Sequence, residues 1–343
     1  MRILYTGGGT LGSVTPLLAL AENDGATERL WIGTPDGPEK VFVEKQLISF
    51  QPVHAFRLRR FFTFQTFREL PYIFSSYIRA RRILKDFRPD VVITAGSFVG
   101  VPVCVASKRL GIPYVVMQLD VRPGLANKIL FSKAAFIVVP HEDYKKRIQF
   151  PSVRVCGIPT SEKSISVRRS DRPTIVIIGG GTGAHWLNQF VQNYALKLLL
   201  CADVIHLQGN EDRAVPPINE KGYVSFFHAT REQALESIKK ATFVITRAGM
   251  GTLSELAIFG KPAIVIPIPH SHQEDNVRFF SSHNAIRPFN QHDGFEHLFR
   301  VTRELLNDTK EQRRLSNTII HLFPHDAVLQ IKKLLHEVYE HTN

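Results

Sequence analysis

Short apolar runs recur along the whole chain and alternate with segments of helical periodicity. Residues 3–5 and 174–178 form two such runs, and a glycine-rich turn follows each at once. Runs without polar alternation are typical of parallel strands buried on both faces. The pattern therefore predicts an α/β fold with mostly parallel sheets and right-handed crossovers. Further strands are predicted at 29–32, 91–94, 114–117, 136–139, 153–155, 204–208, 223–226, 243–246 and 263–267.

The strand pattern occurs twice, and a length of 343 residues suits two domains. We expect a Rossmann-like domain over 1–160, a polar linker over 161–173 and a second Rossmann-like domain over 174–343. Two terminal helices are predicted within 310–338, interrupted at Pro324, and packing of the last helix back on the first domain is left open as an expectation. Two doubly wound domains predict an interdomain cleft, with ligands at the carboxyl ends of both sheets.

Two glycine-rich turns carry the first candidate chemistry, one at 7–12 and one at 179–184. Glycines bring backbone N–H groups close to a ligand, and the following helix N-terminus favours an anion such as phosphate. A tight strand-to-helix turn without a ligand is the alternative. Neither turn is a complete dinucleotide fingerprint or a Walker sequence, so these two nucleotide folds are weakly supported.

A second glycine-containing motif runs from Arg247 to Glu255 after a predicted strand. Its glycines permit a tight turn, and Thr252 or Ser254 is predicted to cap the next helix. We expect Glu255 in the first helical turn, where its carboxylate can accept hydrogen bonds from a ribose diol or serve only as a capping group. The motif therefore predicts either a nucleotide-sugar contact or a capped helix.

The polar loop at 267–276 follows the strand predicted at 263–267. Gln273 and Asn276 carry amides that both donate and accept hydrogen bonds, which suits the reading of sugar hydroxyls. Histidines and acidic residues crowd the same loop without a distant partner, so we expect no metal.

Composition limits the classes of protein. A hydrophobic fraction of 44% and a charged fraction of 22% are ordinary for a globular chain. Three widely spaced cysteines without a CxxC pair argue against zinc and disulfides and suit a reducing compartment. The chain begins without a secretory leader and has no apolar stretch long enough to span a membrane. We therefore expect a cytoplasmic location.

Positive charge is concentrated in the first half of the chain. The net charge is +12, and residues 1–160 hold 22 Lys/Arg against 12 Asp/Glu. Within 57–88, nine basic residues and two acids are interleaved with aromatics. Such a segment suits an anionic membrane surface; an amphipathic core helix with a solvated basic face is the alternative. No zinc-finger, RRM or KH signature supports nucleic acid.

Six segments in order resemble the UDP-N-acetylglucosamine transferases of glycosyltransferase family 28. They are 8–16, 96–102, 123–128, 179–184 with Asn188 and Gln189, 247–255, and 272–273 with Asn276. The resemblance implies a GT-B fold whose C-terminal domain holds UDP-N-acetylglucosamine and whose N-terminal domain meets an undecaprenyl-linked lipid acceptor. It implies that N-acetylglucosamine is transferred with inversion, without a metal ion or cofactor, to the C4 hydroxyl of the lipid-linked muramoyl-pentapeptide. This transfer belongs to peptidoglycan synthesis. The resemblance also implies a peripheral protein at the cytoplasmic face of the plasma membrane.

The resemblance also assigns substrate contacts. By analogy, Glu255 binds the ribose and Gln273 reads the sugar hydroxyls. The remaining substrate-binding set is the diphosphate neighbours Gly181, Thr182, Gly183, Met250, Gly251 and Thr252, the acceptor-side residues Thr10, Leu11 and Gly12, and Asn127, Arg247 and Asn276.

Several positions depart from the family pattern. Ser13 stands where the family has a histidine proposed as the base, and Gln118 stands where it has a carboxylate. A serine hydroxyl is no base near neutral pH without help. Asp120 is the candidate replacement base or acceptor contact, and a loop-structuring aspartate is the alternative. Together with Ser13 it forms the candidate catalytic pair.

Two further departures concern the phosphates. Ser161 replaces an arginine and Gly181 replaces a serine, so phosphate contacts are lost there. Two other functions remain open: a UDP-sugar transferase with another lipid or natural-product acceptor, and a non-catalytic UDP-sugar-binding homologue.

Overall fold

The computed structural model describes residues 1–9, 11–54, 64–160, 172–180, 184–209, 216 and 218–341, without the side chains of 64–71 and 73. Contacts divide the chain into two compact units. The N-terminal unit comprises Met1–Ser161 and Pro324–Asn343, and the C-terminal unit comprises Glu162–Phe323. Most of the predicted linker, at 161–171, falls outside the described residues.

The N-terminal unit is built on a seven-stranded sheet in the order β3-β2-β1-β4-β5-β6-β7. All its strand pairs are parallel. The strands are β1 (Arg2–Thr6), β2 (Glu28–Gly33), β3 (Ser49–Pro52), β4 (Val91–Thr94), β5 (Tyr114–Met117), β6 (Phe136–Val139) and β7 (Val153–Val155). The central strands β4, β5 and β6 are buried at every residue, as expected for a sheet covered on both faces.

Helices connect these strands. They are α1 (Leu11–Ala21), α2 (Glu39–Lys45), α3 (Phe64–Phe87), α4 (Gly100–Arg109), α5 (Leu125–Phe131) and α6 (Glu142–Arg147). The C-terminal helix of the chain, α13 (Ala327–Glu340), belongs to this unit and contacts β4. No described helix is both long and apolar enough to cross a membrane.

The C-terminal unit has a six-stranded parallel sheet in the order β10-β9-β8-β11-β12-β13. Its strands are β8 (Thr174–Ile178), β9 (Asp203–Gly209), β10 (Tyr223–Phe227), β11 (Phe243–Arg247), β12 (Ala263–Ile266) and β13 (Arg287–Pro288). Its helices are α7 (His185–Leu199), α8 (Arg231–Lys240), α9 (Met250–Ile258), α10 (Gln273–Ser282), α11 (Gly294–Asn307) and α12 (Thr309–Ile320). Its core packs Phe190 and Leu187 of α7 against β8 and β11.

The predicted α/β class with two parallel, Rossmann-like sheets is confirmed. Pro324 lies between α12 and α13, as the pattern predicts. The pattern misses β3 and β13, which are edge strands of four and two residues. An edge strand such as β3 alternates exposed and half-buried residues and has no apolar run, so only its pairing with β2 reveals it.

Candidate functional site

The candidate donor site lies at the carboxyl edge of the C-terminal sheet. Strands β8, β11 and β12 are neighbours there, so the turns that follow them meet at one edge. A Cβ atom built on Gly180 or Gly249 meets no described atom within 4 Å. The first N–H groups of α9 have no intrahelical partner, and its N-cap residue, Gly249, has no side chain to cap them. Among the residues described, the edge therefore offers backbone donors beside glycines that no side chain crowds.

Gln273 and Asn276 fix the turn between β11 and α9. The Gln273 Oε1 atom accepts hydrogen bonds from the Ala248 N–H at 3.2 Å and the Ile268 N–H at 3.1 Å. The Asn276 Nδ2 atom donates to the Ala248 carbonyl at 3.0 Å. Both side chains are buried, so these bonds are shielded from water. The two predicted sugar-reading residues thus also hold the turn in place.

Arg247 ends β11, and its guanidinium bonds to protein carbonyls. Its Nη1 atom donates to the carbonyl of Pro267 at 3.1 Å and to that of Ile266 at 3.4 Å. The guanidinium carbon lies 5.8 Å from the ring centroid of Trp186. Burial lowers the pKa of Arg247 to about 10. In the structure this predicted substrate contact joins the ends of β11 and β12.

Glu255 is half-buried in the second turn of α9, not in its first turn as the sequence predicts. Burial raises the pKa of the Glu255 carboxyl to about 7, while the charge of Arg231 opposes this shift. Arg231 begins α8, which Thr230 caps in a capping box with Gln233. The pKa of this carboxyl therefore lies close to neutral pH.

The predicted caps of α9 are wrong. Gly249 is the N-cap residue, whereas Thr252 and Ser254 lie inside the helix. The Ser254 hydroxyl donates to the Met250 carbonyl at 2.5 Å, one turn back in the same helix. The helix begins earlier because Met250 and Gly251 adopt helical geometry directly after the Gly249 turn. Met250, Gly251 and Thr252 therefore form the first helical turn, where their N–H groups face outward along the axis.

Asn188, which belongs to the resemblance motif, has a structural position. Its Nδ2 atom donates to the Gln208 carbonyl at 3.2 Å, and its Oδ1 atom bonds His206 Nε2 at 2.9 Å. Burial lowers the pKa of His206 to about 3, so the ring is neutral at physiological pH. These bonds attach α7 to β9. The diphosphate candidates Gly181, Thr182 and Gly183 lie outside the described residues.

The candidate acceptor site lies at the carboxyl edge of the N-terminal sheet, where β1, β4 and β5 are neighbours. The Asn127 Nδ2 atom donates to Gln118 Oε1 at 2.6 Å, and Gln118 Nε2 donates to the Asp120 carbonyl at 2.5 Å. Asn127 also lies against Gly96, where a Cβ atom would stand 2.7 Å from Asn127 Oδ1. The structure thus brings together Gln118, Asp120 and Asn127.

The other acceptor-side candidates lie at the start of α1. Leu11 and Ser13 are half-buried, Gly12 is exposed, and Thr10 lies outside the described residues. Among the residues described, Ser13 Oγ is buried without a hydrogen-bond partner. Asp120 is half-buried. Burial raises the pKa of the Tyr144 phenol, and the charge of Asp120 raises it further. The Tyr144 hydroxyl donates to the Leu119 carbonyl at 3.0 Å, which supports the Asp120 loop from a second side.

Two family models match the chain in succession. The glycosyltransferase family 28 N-terminal domain matches residues 3–139, and the family 28 C-terminal domain matches residues 174–330. The chain belongs to glycosyltransferase family 28. The predicted family resemblance is therefore confirmed.

Two curated relatives of this chain are named for the same activity. The chain is 30% identical over 279 residues to a UDP-N-acetylglucosamine–N-acetylmuramyl-(pentapeptide) pyrophosphoryl-undecaprenol N-acetylglucosamine transferase of Clostridium botulinum, with 78% of each chain covered. It is 32% identical over 280 residues to the enzyme of the same name from Lachnoclostridium phytofermentans, again with 78% of each covered. The structure of MurG from Acinetobacter baumannii is similar with a TM-score of 0.72 and 24% identity, and the match covers 98% of this chain and 99% of that one. This likeness supports the GT-B fold.

Sequence reasoning misses three residues that the structure places at these sites. The Arg247 guanidinium lies over the Trp186 ring, the charge of Arg231 acts on Glu255, and Glu39 accepts a hydrogen bond from Gly9 in the first glycine turn. The Thr230–Gln233 capping box signals a helix that begins at Arg231, but no local pattern places that helix beside α9. These residues lie on α2, α7 and α8, far along the chain from the residues they act on, so only the fold brings them together.

Proposed function

We propose that this protein transfers N-acetylglucosamine from UDP-N-acetylglucosamine to undecaprenyl-pyrophosphoryl-muramoyl-pentapeptide, which converts lipid I into lipid II in peptidoglycan synthesis. The observation that carries the proposal is the match, over 78% of both chains, to relatives named for this transfer. The arrangement of Gln273, Asn276 and the α9 N-terminus supports a nucleotide-sugar site in the C-terminal unit.

In the proposed donor complex, the ribose diol donates to the Glu255 carboxylate. The diphosphate accepts hydrogen bonds from the N–H groups of Met250, Gly251 and Thr252, where the helix dipole favours negative charge. The Gln273 oxygen is already bonded to Ala248 and Ile268, so its Nε2 group is the part that donates to a sugar hydroxyl. Arg247 holds the ends of β11 and β12 together by donating to backbone carbonyls.

The proposed reaction is a displacement at C1 of the sugar. The C4 hydroxyl oxygen of the muramoyl unit forms a bond to C1 as the bond from C1 to the UDP oxygen breaks, with inversion. The Asp120 carboxylate receives the hydroxyl proton, because Ser13 and the amide of Gln118 cannot act as bases near neutral pH. The α9 N–H groups stabilise the charge of the departing UDP without a metal ion.

The same proposal places the protein at the cytoplasmic face of the plasma membrane as a peripheral protein. On α3, the side chains of Tyr72, Phe74 and Ile78 are exposed by 62%, 65% and 46%. The next turns of the helix expose the cations Arg79, Arg81, Arg82 and Lys85. Exposed aromatics beside cations suit an interface with anionic lipid headgroups. The part of the predicted membrane segment at 57–63 lies outside the described residues.

Incubation of the purified protein with UDP-N-acetylglucosamine and a lipid I analogue tests the function. We expect formation of the lipid II disaccharide together with UDP. Transfer only to a different lipid or natural-product acceptor would replace the proposed substrate. Donor binding without transfer to any acceptor would identify a non-catalytic homologue instead.

A further inference from the structure

Glu39 is a fully buried carboxylate beside the first glycine turn. It is the first residue of α2, and its side chain has no solvent exposure. Its Oε2 atom accepts the Gly9 N–H at 3.1 Å. Its Oε1 atom accepts the Thr34 N–H at 2.6 Å and the Thr34 hydroxyl at 2.5 Å. Three donors therefore surround one carboxylate that the proposed reaction does not use.

Glycines make the space for this carboxylate. A Cβ atom on Gly8 would stand 1.9 Å from Glu39 Oε1, and one on Gly37 would stand 2.1 Å from Glu39 Oε2. Such distances are impossible for real atoms, so a side chain at either position would displace the carboxylate. Gly8 and Gly37 thus allow the backbone to pack closely around the Glu39 carboxylate.

The glycines of the first turn are anchored at Gly7 and at Gly9. At the start, the Gly7 N–H donates to the Ile32 carbonyl at 3.3 Å, and Trp31 Nε1 donates to the Gly7 carbonyl at 3.0 Å. At the far end, Gly9 adopts a φ of +79° and its N–H bonds to Glu39. Strand β2 thus positions the beginning of the turn, and Glu39 positions the residue that leads towards α1.

A phosphate is the usual partner of such a glycine turn in nucleotide-binding Rossmann folds. Here a carboxylate of the chain itself bonds to the Gly9 N–H. We propose that Glu39 acts as a built-in anion that holds the Gly9 N–H and positions the start of α1, including Ser13, for the acceptor. The acceptor part of this inference rests on the proposed function.

The negative charge is what the arrangement needs. A carboxylate accepts at both oxygens, whereas the amide of a glutamine accepts at only one and turns an N–H donor towards the other site. In Glu39→Gln, one oxygen still accepts from Thr34, but the amide nitrogen then faces the Gly9 N–H. We therefore expect the turn to lose its anchor at Gly9 while the shape of the side chain is preserved.

Transfer kinetics of Glu39→Gln provide the first test, with Glu44→Gln on the exposed side of the same helix as the matched control. We expect the acceptor kcat/KM of Glu39→Gln to fall about tenfold or more, because a charge-assisted bond is lost. The KM for UDP-N-acetylglucosamine should stay within about twofold, since that site is in the other unit. Unchanged acceptor kinetics, or an equal rise in donor KM, would overturn the inference.

Hydrogen exchange on the free protein provides a second test that needs no transfer activity. We expect faster exchange at the Gly9 amide and the first turn of α1 in Glu39→Gln, with unchanged exchange at Gly249–Thr252. Faster exchange throughout the protein, or no change in exchange at Gly9 and the first turn of α1, would contradict a positioning role. A wild-type protein without transfer activity would defeat the proposed function alone, because this exchange pattern would still decide the role of Glu39.

Thr34→Val is the replacement test variant if Glu39→Gln does not fold. It removes only the hydroxyl donor to Glu39 Oε1 and leaves the carboxylate in place. We expect the same selective loss of acceptor kcat/KM and the same local exchange pattern, both smaller. Wild-type behaviour of Thr34→Val in both measurements would count against the inference.

Discussion

Asn127 donates to Gln118 through a side-chain hydrogen bond of 2.6 Å, and this bond fixes the loop that carries Asp120. Gln118 is almost fully buried and in turn donates to the Asp120 carbonyl. The position of Asp120 is therefore held through its backbone. At the position where the resemblance leads us to expect a carboxylate, this chain has the Gln118 amide, which structures the loop, and a carboxylate stands two residues later.

Asp120→Asn tests the proposed base. The loop contacts through the Asp120 carbonyl survive this change, so we expect the protein to fold normally. If Asp120 removes the acceptor proton, kcat should fall by about 100-fold or more. Single-turnover transfer measures this rate, with the exposed Asp293→Asn as control. Full activity of Asp120→Asn would leave Asp120 with a loop-structuring role only.

Glu255 predicts a pH dependence of donor binding. Its pKa is about 7, and the ribose contact needs the carboxylate form. The KM for UDP-N-acetylglucosamine should therefore decrease as pH rises from about 6 to about 8. Glu255→Gln should have a higher KM that varies little over this range. An unchanged pH profile in Glu255→Gln would exclude the carboxylate from donor binding.

The raised pKa of the Glu255 carboxyl also predicts that the stability of the protein decreases as pH rises. Because burial raises the folded-state pKa of Glu255 above the ordinary value of 4.5, folding favours the protonated form. The contribution of Glu255 to the free energy of unfolding is therefore fully present below a pH of 4.5 and is lost as pH rises through about 7. Urea unfolding from pH 5 to pH 8 should show a steeper decline for the wild type than for Glu255→Gln.

Gln273→Glu separates the two roles assigned to Gln273. The carboxylate can still accept from Ala248 and Ile268, so the turn and the affinity for UDP should be preserved. It cannot donate to a sugar hydroxyl, so the affinity for UDP-N-acetylglucosamine should fall by about tenfold. Calorimetric titration with both ligands measures the difference. An equal loss for UDP and the sugar nucleotide would show that only the turn is affected.

The membrane proposal is tested on exposed residues of α3. Replacement of Arg81 and Arg82 by serine should weaken binding to anionic vesicles by about 2 kcal/mol, or about 30-fold. Replacement of the exposed Arg300 and Arg313 in the other unit provides a charge-matched control. Co-sedimentation with vesicles of anionic and neutral lipid measures both. Equal losses in the two variants would show a charge effect without a specific surface.

The sequence pattern predicts the parallel sheets well because their central strands are uniformly apolar. It does not predict β3, because exposed and half-buried residues alternate along this edge strand. It also does not predict that α9 begins directly after Gly249, since a glycine N-cap has no side chain that would signal the helix start. The motifs locate Gln273 and Asn276, but their bonds to Ala248 depend on the packing of two neighbouring strands. Glu39 escapes prediction for the same reason, because Gly9 lies thirty residues before it.

The most direct test of the central proposal is the time course of lipid II formation from a lipid I analogue and UDP-N-acetylglucosamine. The account predicts that one UDP is released for each disaccharide formed and that chelation of divalent metals leaves the rate unchanged. The new glycosidic bond should have the inverted configuration. Binding of UDP-N-acetylglucosamine without formation of lipid II, under conditions where a family 28 relative is active, would contradict the account.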